Sequence, residues 1–175
     1  MIFIETKLSG AFLIDLDRRE DVRGYFARVF CAEEFSAKGL NSQVAQCSIS
    51  FNRHKGTLRG MHWQAAPKAE AKLIRVTWGA IHDVIVDLRP DSPTRLQHVA
   101  VELTADNRRM LYIPEGLAHG FQTLADSTEV SYQMSEFFAP ACARGARWND
   151  PAFKIAWPLH DPIMNDRDRS WPDFQ

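Results

Sequence analysis

Short apolar runs alternate with turn residues along most of the chain. The candidate strands are Ala11–Leu16, Tyr25–Cys31, Val44–Phe51, Ala71–Trp78, Ala80–Leu88, Gln97–Leu103, Met110–Ile113, Gly120–Leu124 and Thr128–Phe137. They are bounded by Arg23-Gly24, Lys55-Gly56, Trp78-Gly79, Arg89-Pro90-Asp91, Ala105-Asp106-Asn107 and Pro114-Glu115-Gly116. Many short strands with regular turn signals predict a β-sandwich or barrel. Only Ala32–Lys38 reads as a helix. Glu33 and Glu34 stand early in it and Lys38 late, an order that complements the helix dipole, and Gly39 stops it. From Pro151 the alternation fades into Pro, Asp and Trp, so this end is expected to wrap the barrel, leaving one domain over 1–175.

The 175 residues are 45% hydrophobic and 25% charged, enough for one substantial core. A net charge of −1 gives no global basic field to recruit nucleic acid, so any polyanion must be met by a local arginine cluster. No apolar run is long enough to span a bilayer. Met1–Leu13 mixes Glu5 and Lys7 into its apolar residues, unlike a secretory leader. Cys31, Cys47 and Cys142 are widely spaced, which argues against a disulfide framework or zinc knuckle and for a reduced, cytoplasmic protein. Five Trp, three Tyr and 11 Phe suit a packed β core or a pocket that stacks flat ligands.

Two segments carry candidate chemistry. The first is Gly56-Thr57-Leu58-Arg59-Gly60-Met61-His62-Trp63-Gln64, where Gly56 and Gly60 read as tight turns. If the run from Leu58 is extended, His62 and Gln64 share one face. Spacing alone leaves open a core histidine beside a surface arginine. The second is Ile113-Pro114-Glu115-Gly116-Leu117-Ala118-His119-Gly120-Phe121, whose Pro-x-Gly-x-x-His spacing resembles the second signature of the cupin superfamily. The first cupin signature has His-x-His followed by Glu; here it reads His62-Trp63-Gln64, with Glu70 further on. A neutral amide ligates a transition metal less well than imidazole. The expectation is a barrel with no metal, and a weak site of His62, Gln64, Glu70 and His119 is the alternative.

Nearly end to end, the chain resembles the dTDP-4-dehydrorhamnose 3,5-epimerase family. The resemblance runs from Asp21-Val22-Arg23-Gly24-Tyr25-Phe26 to Asp166-Arg167-Asp168-Arg169-Ser170-Trp171. Besides the two segments above, its most specific runs are Ala71-Lys72-Leu73-Ile74-Arg75 and Asp83-Val84-Ile85-Val86-Asp87-Leu88-Arg89. It implies an all-β fold, a cupin-type double-stranded β-helix (jelly roll), with a short helix and an irregular C-terminal wrap. It also implies a homodimer whose N-terminal strands exchange, so that Ile2–Ile4 and the loops near Arg23 complete the partner's site. The implied activity is an isomerase without metal or cofactor. It would invert C3 and C5 of a dTDP-linked 4-keto-6-deoxy sugar, giving dTDP-4-dehydrorhamnose.

Protons beside a ketone are weakly acidic. Removing one takes a base, stabilisation of the enolate oxygen, and an acid on the opposite face. By resemblance His62 is the base and Asp168 the carboxylate that orients it; the alternative for Asp168 is a solvated charge among Asp166, Arg167 and Arg169. Lys72 matches the lysine beside the ketone, or else a rim charge paired with Glu70. Asp83 is expected to hold Lys72 or a sugar hydroxyl. Tyr132 matches the proton donor, or else a packed core tyrosine, and His119 lines the site.

Arg23 and Arg59 match positions that meet the diphosphate, where guanidinium forks suit phosphate oxygens. Gln46 and Ser48 lie on the substrate-lining strand, where Ser48 and Ile49 replace the family's usual Asn and His. Arg28 stands where better-known members carry a glutamate that reads thymine. A guanidinium only donates, so Arg28 would meet a phosphate or a base carbonyl, or point elsewhere. Phe138 retains a stacking ring without a hydroxyl. These departures keep three alternatives in view: a single-centre epimerase acting on another nucleotide sugar, a metal-binding cupin, and a sugar-nucleotide binder without turnover.

Overall fold

Most of the apolar runs find a neighbour to pair with and turn at least one face inward. The computed structural model describes residues 1–175. Its strands are β1 (Ile2–Glu5), β2 (Phe12–Asp15), β3 (Arg19–Asp21), β4 (Gly24–Phe26), β5 (Gln46–Asn52), β6 (Leu58–Gln64), β7 (Lys72–Trp78), β8 (Ala80–Asp87), β9 (His98–Thr104), β10 (Met110–Ile113), β11 (Leu117–Thr123), β12 (Thr128–Met134) and β13 (Ala143–Gly145). Two short helices, α1 (Ala32–Ala37) and α2 (Asp166–Arg169), complete it. A six-stranded sheet in the order β1-β2-β10-β7-β12-β5 faces a five-stranded sheet in the order β13-β6-β11-β8-β9, the two-sheet arrangement of a jelly roll. All pairings between these strands are antiparallel.

The inward residues of the two sheets, among them Ile74, Ile85, Leu103, Leu111, Phe121 and Val130, form the core between them. The outer face of the larger sheet is covered in part by α1. Its Phe35 meets Phe3 and Tyr112 edge-on at 5.4 and 5.6 Å. The outer face of the smaller sheet lies under the C-terminal segment, where Ala146 and Phe153 pack on Met61, Val84 and Val86. Gln122 clamps that segment from both sides of its amide, donating to the Leu159 carbonyl and accepting from the Leu159 N–H, each at 2.9 Å. No helix is long and apolar enough to cross a membrane.

Three sequence expectations change. Tyr25–Cys31 was expected to be one strand, yet pairing stops at Phe26. β3 and β4 form a separate two-stranded hairpin in which every residue is exposed, so no second partner strand extends it. Gly60 is not a turn. It lies inside β6, where β11 crosses so closely that a Cβ would stand 2.6 Å from the Gly120 Cα. Thr128–Phe137 ends at Met134, after which the chain leaves the sheet as a loop. The C-terminal segment does wrap, and it also carries α2, which the fading alternation did not foretell.

Asp87 closes the turn between β8 and β9. Its side chain is fully buried and accepts from Arg89, Ser92 and Thr94 at 2.6–2.9 Å. Burial alone would raise its carboxyl, but the Arg89 guanidinium and the two hydroxyls outweigh that and hold it well below the usual carboxylate range. A depressed carboxyl stabilises the fold above its unfolded value near 3.9, and loses that contribution as pH falls through the folded value. Asp87→Asn is therefore expected to cost about 2 kcal/mol near neutrality. Urea unfolding at pH 6 and pH 3 checks this: the gap between wild type and variant narrows at the lower pH.

Candidate active site

Strand parity turns a group of polar side chains into the mouth of the barrel. They line a cavity of about 310 Å³ formed by Ser48, Ile49, Ser50, Arg59, His62, Lys72, His119, Phe121, Tyr132, Met134, Asn165 and Asp168. A larger hollow of about 500 Å³ lies near α2 between Arg147, Trp148, Asn149, Asp161, Pro162, Met164 and Arg169. It has no histidine, lysine or tyrosine, whereas the barrel mouth holds two histidines, a lysine and a tyrosine suited to proton transfer.

His62 and His119 are direct cross-strand partners on β6 and β11. Each is held by a buried carboxylate: His62 Nε2 lies 2.6 Å from Asp168 Oδ1, and His119 Nε2 lies 2.6 Å from Asp83 Oδ1. The two pairs differ in access. The His62 side chain is 40% exposed, whereas that of His119 is 6% exposed. His62 can therefore reach a ligand in the cavity while keeping its carboxylate behind it.

Asp168 is not a solvated charge: its side chain is 4% exposed. The one-turn α2 places it, and Asn165 caps that helix by accepting from the Asp168 N–H at 2.7 Å. Gly60 N–H donates to Oδ2 at 3.3 Å. Burial pushes the Asp168 carboxyl up, but the hydrogen bond and charge of His62, the Gly60 N–H and the Trp171 indole together bring it below its ordinary value. The group is thus a carboxylate, suited to orienting an imidazole and stabilising its protonated form.

Tyr132 stands on β12, in the sheet opposite His62. Its ring lies edge-on to His119 at 6.1 Å. Burial drives its phenol far above the usual value, the Asp83 charge adds to this, and Arg59 offsets part of it. The hydroxyl therefore keeps its proton at neutral pH. Lys72 lines the cavity with Nζ 3.0 Å from Glu70 Oε1, so the pairing considered from the sequence coexists with a place in the site.

The expected role of Asp83 is corrected. It neither holds Lys72 nor faces the cavity; it is fully buried and braces His119. Arg59 is at the cavity, steered by a 2.7 Å bond from its Nε to Asn52 Oδ1, and its terminal nitrogens make no bond within the chain. Asn52 is in turn fixed by two 3.1 Å bonds to the Ser50 and Thr128 carbonyls.

Four expected binding residues are not brought to this cavity by their own chain. Arg23 sits at the hairpin turn, 86% exposed and paired only with Asp21. Arg28 pairs with Glu34 at 2.7 Å, which also takes the N-terminal ammonium. Gln46 accepts from the Phe138 N–H at 3.2 Å, so it holds the loop after β12. Phe138 itself is exposed on that loop.

Gln64 holds the same loop. It accepts from Ala139 N–H at 2.6 Å and donates to the Lys68 carbonyl at 2.9 Å. An amide can donate and accept at once, which explains its place where a metal-binding cupin carries imidazole. No group of three or more His, Cys, Asp and Glu side chains converges as metal ligands. Sequence reasoning missed Asn165, Asn52, Ser50, Phe121 and Met134. Asn165 alone carried a readable signal, an N-cap type just ahead of an acidic first turn.

The arrangement presents an accessible base with its carboxylate on one wall, a protonated phenol on the other, and cations beside both. That equipment can move a proton from one face of a carbon to the other. The family model described as dTDP-4-dehydrorhamnose 3,5-epimerase matches residues 5–175. The enzyme of that name from Pseudomonas aeruginosa is 46% identical over 156 residues, 88% of this chain and 85% of the other. The one from Methanothermobacter thermautotrophicus is 41% identical over 172 residues, 97% of this chain and 92% of the other. The crystal structure of the Bacillus anthracis enzyme with TDP and PPi bound superposes with a TM-score of 0.94 at 41% identity, covering 99% of both chains.

Proposed function

This chain belongs to the dTDP-4-dehydrorhamnose 3,5-epimerase family, and from that premise we propose that it inverts C3 and C5 of dTDP-4-dehydro-6-deoxyglucose to give dTDP-4-dehydrorhamnose. The observation that carries the residue assignment is the pairing of an Asp168-backed His62 on one wall with a protonated Tyr132 on the other.

His62 takes the proton from the carbon beside the ketone, and its C–H electron pair passes into an enolate. Asp168 stabilises the imidazolium so formed. Lys72 and His119 meet the negative charge growing on the ketone oxygen, with Asp83 fixing the His119 ring from behind. Tyr132 returns a proton to the other face of the carbon, and the enolate collapses to the ketone with its configuration inverted. Once solvent has taken the proton from His62 and restored that of Tyr132, repetition at the second carbon completes the reaction. Arg59 meets the diphosphate, and the exposed rings of Phe137 and Phe138 give the nucleotide base a surface to stack on.

The working unit in this reading is a homodimer. Ile2 and Ile4, on the edge strand β1, are 51% and 41% exposed, and the β3–β4 hairpin carries a fully exposed Val22 and a 76% exposed Phe26. A second copy covers these surfaces, and the hairpin then delivers Arg23 to the neighbouring protomer's diphosphate. The three cysteines are unpaired in the fold, which supports the reading of a reducing, cytoplasmic compartment.

The direct test follows the configuration of C3 and C5 by proton NMR as purified protein acts on dTDP-4-dehydro-6-deoxyglucose. Inversion at both carbons supports the reading. Inversion at C3 alone replaces it with a single-centre epimerase, and a folded protein that inverts neither overturns it. Arg23→Ala tests the dimer: KM rises roughly tenfold or more while kcat holds, the pattern for loss of uniform substrate binding. Light scattering should give twice the chain mass. A monomer with full activity contradicts the dimer.

A further inference from the structure

Between the strand beside the base and the helix that carries its carboxylate lies an indole that the reaction above does not use. Trp171 directly follows Ser170, the C-cap of α2. Its ring packs against Gly145 so closely that any Cβ there would collide with Cδ2, Cε2 and Nε1. Gly145 is the cross-strand partner of His62. Glycine is therefore what admits the ring to a place next to the His62 strand.

Both sides of the indole are fixed. The Arg167 guanidinium lies 5.2 Å from the ring centre, and Arg147 N–H donates to the Pro172 carbonyl at 2.9 Å. Trp171 Nε1 is buried and meets no acceptor in hydrogen-bonding geometry. A buried indole N–H ordinarily finds a partner. The carboxylate of Asp168 is near enough to feel it, since the indole is one of the groups that favour its ionised form. On that carboxylate Oδ1 is committed to His62 at 2.6 Å, while Oδ2 has only the Gly60 N–H at 3.3 Å, long for a charge-assisted bond. A donor without an acceptor thus lies beside an acceptor short of a donor.

We propose that Trp171 is a positioning residue for the base: its indole N–H serves Asp168 Oδ2 and holds the carboxylate with Oδ1 turned to His62. This rests on the reading of His62 as the base. Without the indole N–H, the carboxylate is free to rotate away from the ring.

Trp171→Phe keeps a ring over Gly145 and removes the N–H. Its kcat is expected to fall about tenfold, the low end of what a partner hydrogen-bonded behind an active group contributes. KM and the melting midpoint hold, the split expected when a transition-state interaction alone is weakened. Unchanged kcat would make Trp171 a packing residue and overturn the proposal. A second measurement does not depend on the variant folding. In wild-type protein labelled with ¹⁵N-tryptophan, the Trp171 indole signal is assigned by elimination against variants of Trp63, Trp78, Trp148 and Trp157. It should shift with the midpoint at which the His62 ring titrates, and an indole that ignores that midpoint overturns the proposal. A wild-type protein with no turnover would instead defeat the functional reading, leaving the indole titration to decide the role of Trp171.

Discussion

Replacing His62 with alanine is expected to lower turnover roughly 10⁴-fold, the upper end of what a positioned base contributes. The variant should still fold, because the His62 side chain is 40% exposed and its one hydrogen bond is to Asp168. Some stability is lost, about 1–3 kcal/mol, since Asp168 is left buried with Oδ1 unpaired. KM should change little, because in the proposed reading Arg59 and the Phe137–Phe138 loop, and not His62, hold the diphosphate and the nucleotide base. Steady-state rates with a denaturation curve on the same preparation separate the two effects. A His62→Ala protein with turnover within tenfold of wild type would remove His62 from the chemistry.

Tyr132→Phe has the second largest expected effect, and it is selective. The substitution removes one oxygen and leaves the ring edge-on to His119. His62 can still take the proton and return it to the same face, so exchange with solvent continues. Inversion, which needs a donor on the other wall, should fall roughly 10²- to 10³-fold. The ratio of solvent exchange to inversion is the informative quantity. If Tyr132 only packs, that ratio stays at the wild-type value.

Much of this was legible in the residues, for physical reasons that can be named. The barrel strands showed because period-two alternation is imposed wherever one face of a sheet is buried. β8 and β10 are buried on both faces over most of their length, so they show instead as continuous apolar runs, matched almost to the residue. The Tyr25–Cys31 run misled because its aromatic and apolar residues are strand formers without a sheet to join. Tyr25 and Phe26 stay exposed on the hairpin and point to a partner, whereas Val29 and Phe30 pack on the core beside Phe35 without forming a strand. Gly60 misled in the opposite sense, since a glycine needed for close approach of two strands looks like one needed for a turn.

The site was legible where one strand carries several of its members, as with Arg59 and His62. It was not legible where distant segments meet. Asp168 looks like one charge among four in sequence, and only the wrap of the C-terminal segment brings it under β6. Asp83 has the same composition signal as a substrate-binding acid and shares the sheet face of His119, yet it is fully buried and bonded to the His119 ring, which no sequence pattern reveals. The nucleotide end was least legible. Arg23 and Arg28 are placed by a hairpin and a helix that belong to neither sheet, so intrachain pattern says nothing about what they reach.

Proton transfer at two carbons without a metal is the central claim, and one measurement bears on it most directly. Chelator-treated protein is incubated with dTDP-4-dehydro-6-deoxyglucose in deuterated water, and the C3 and C5 signals are followed by proton NMR. The account predicts deuterium at both carbons, with inverted configuration, at a rate that added divalent metal does not change. A folded protein that incorporates deuterium at neither carbon, or does so only when metal is restored, would contradict it.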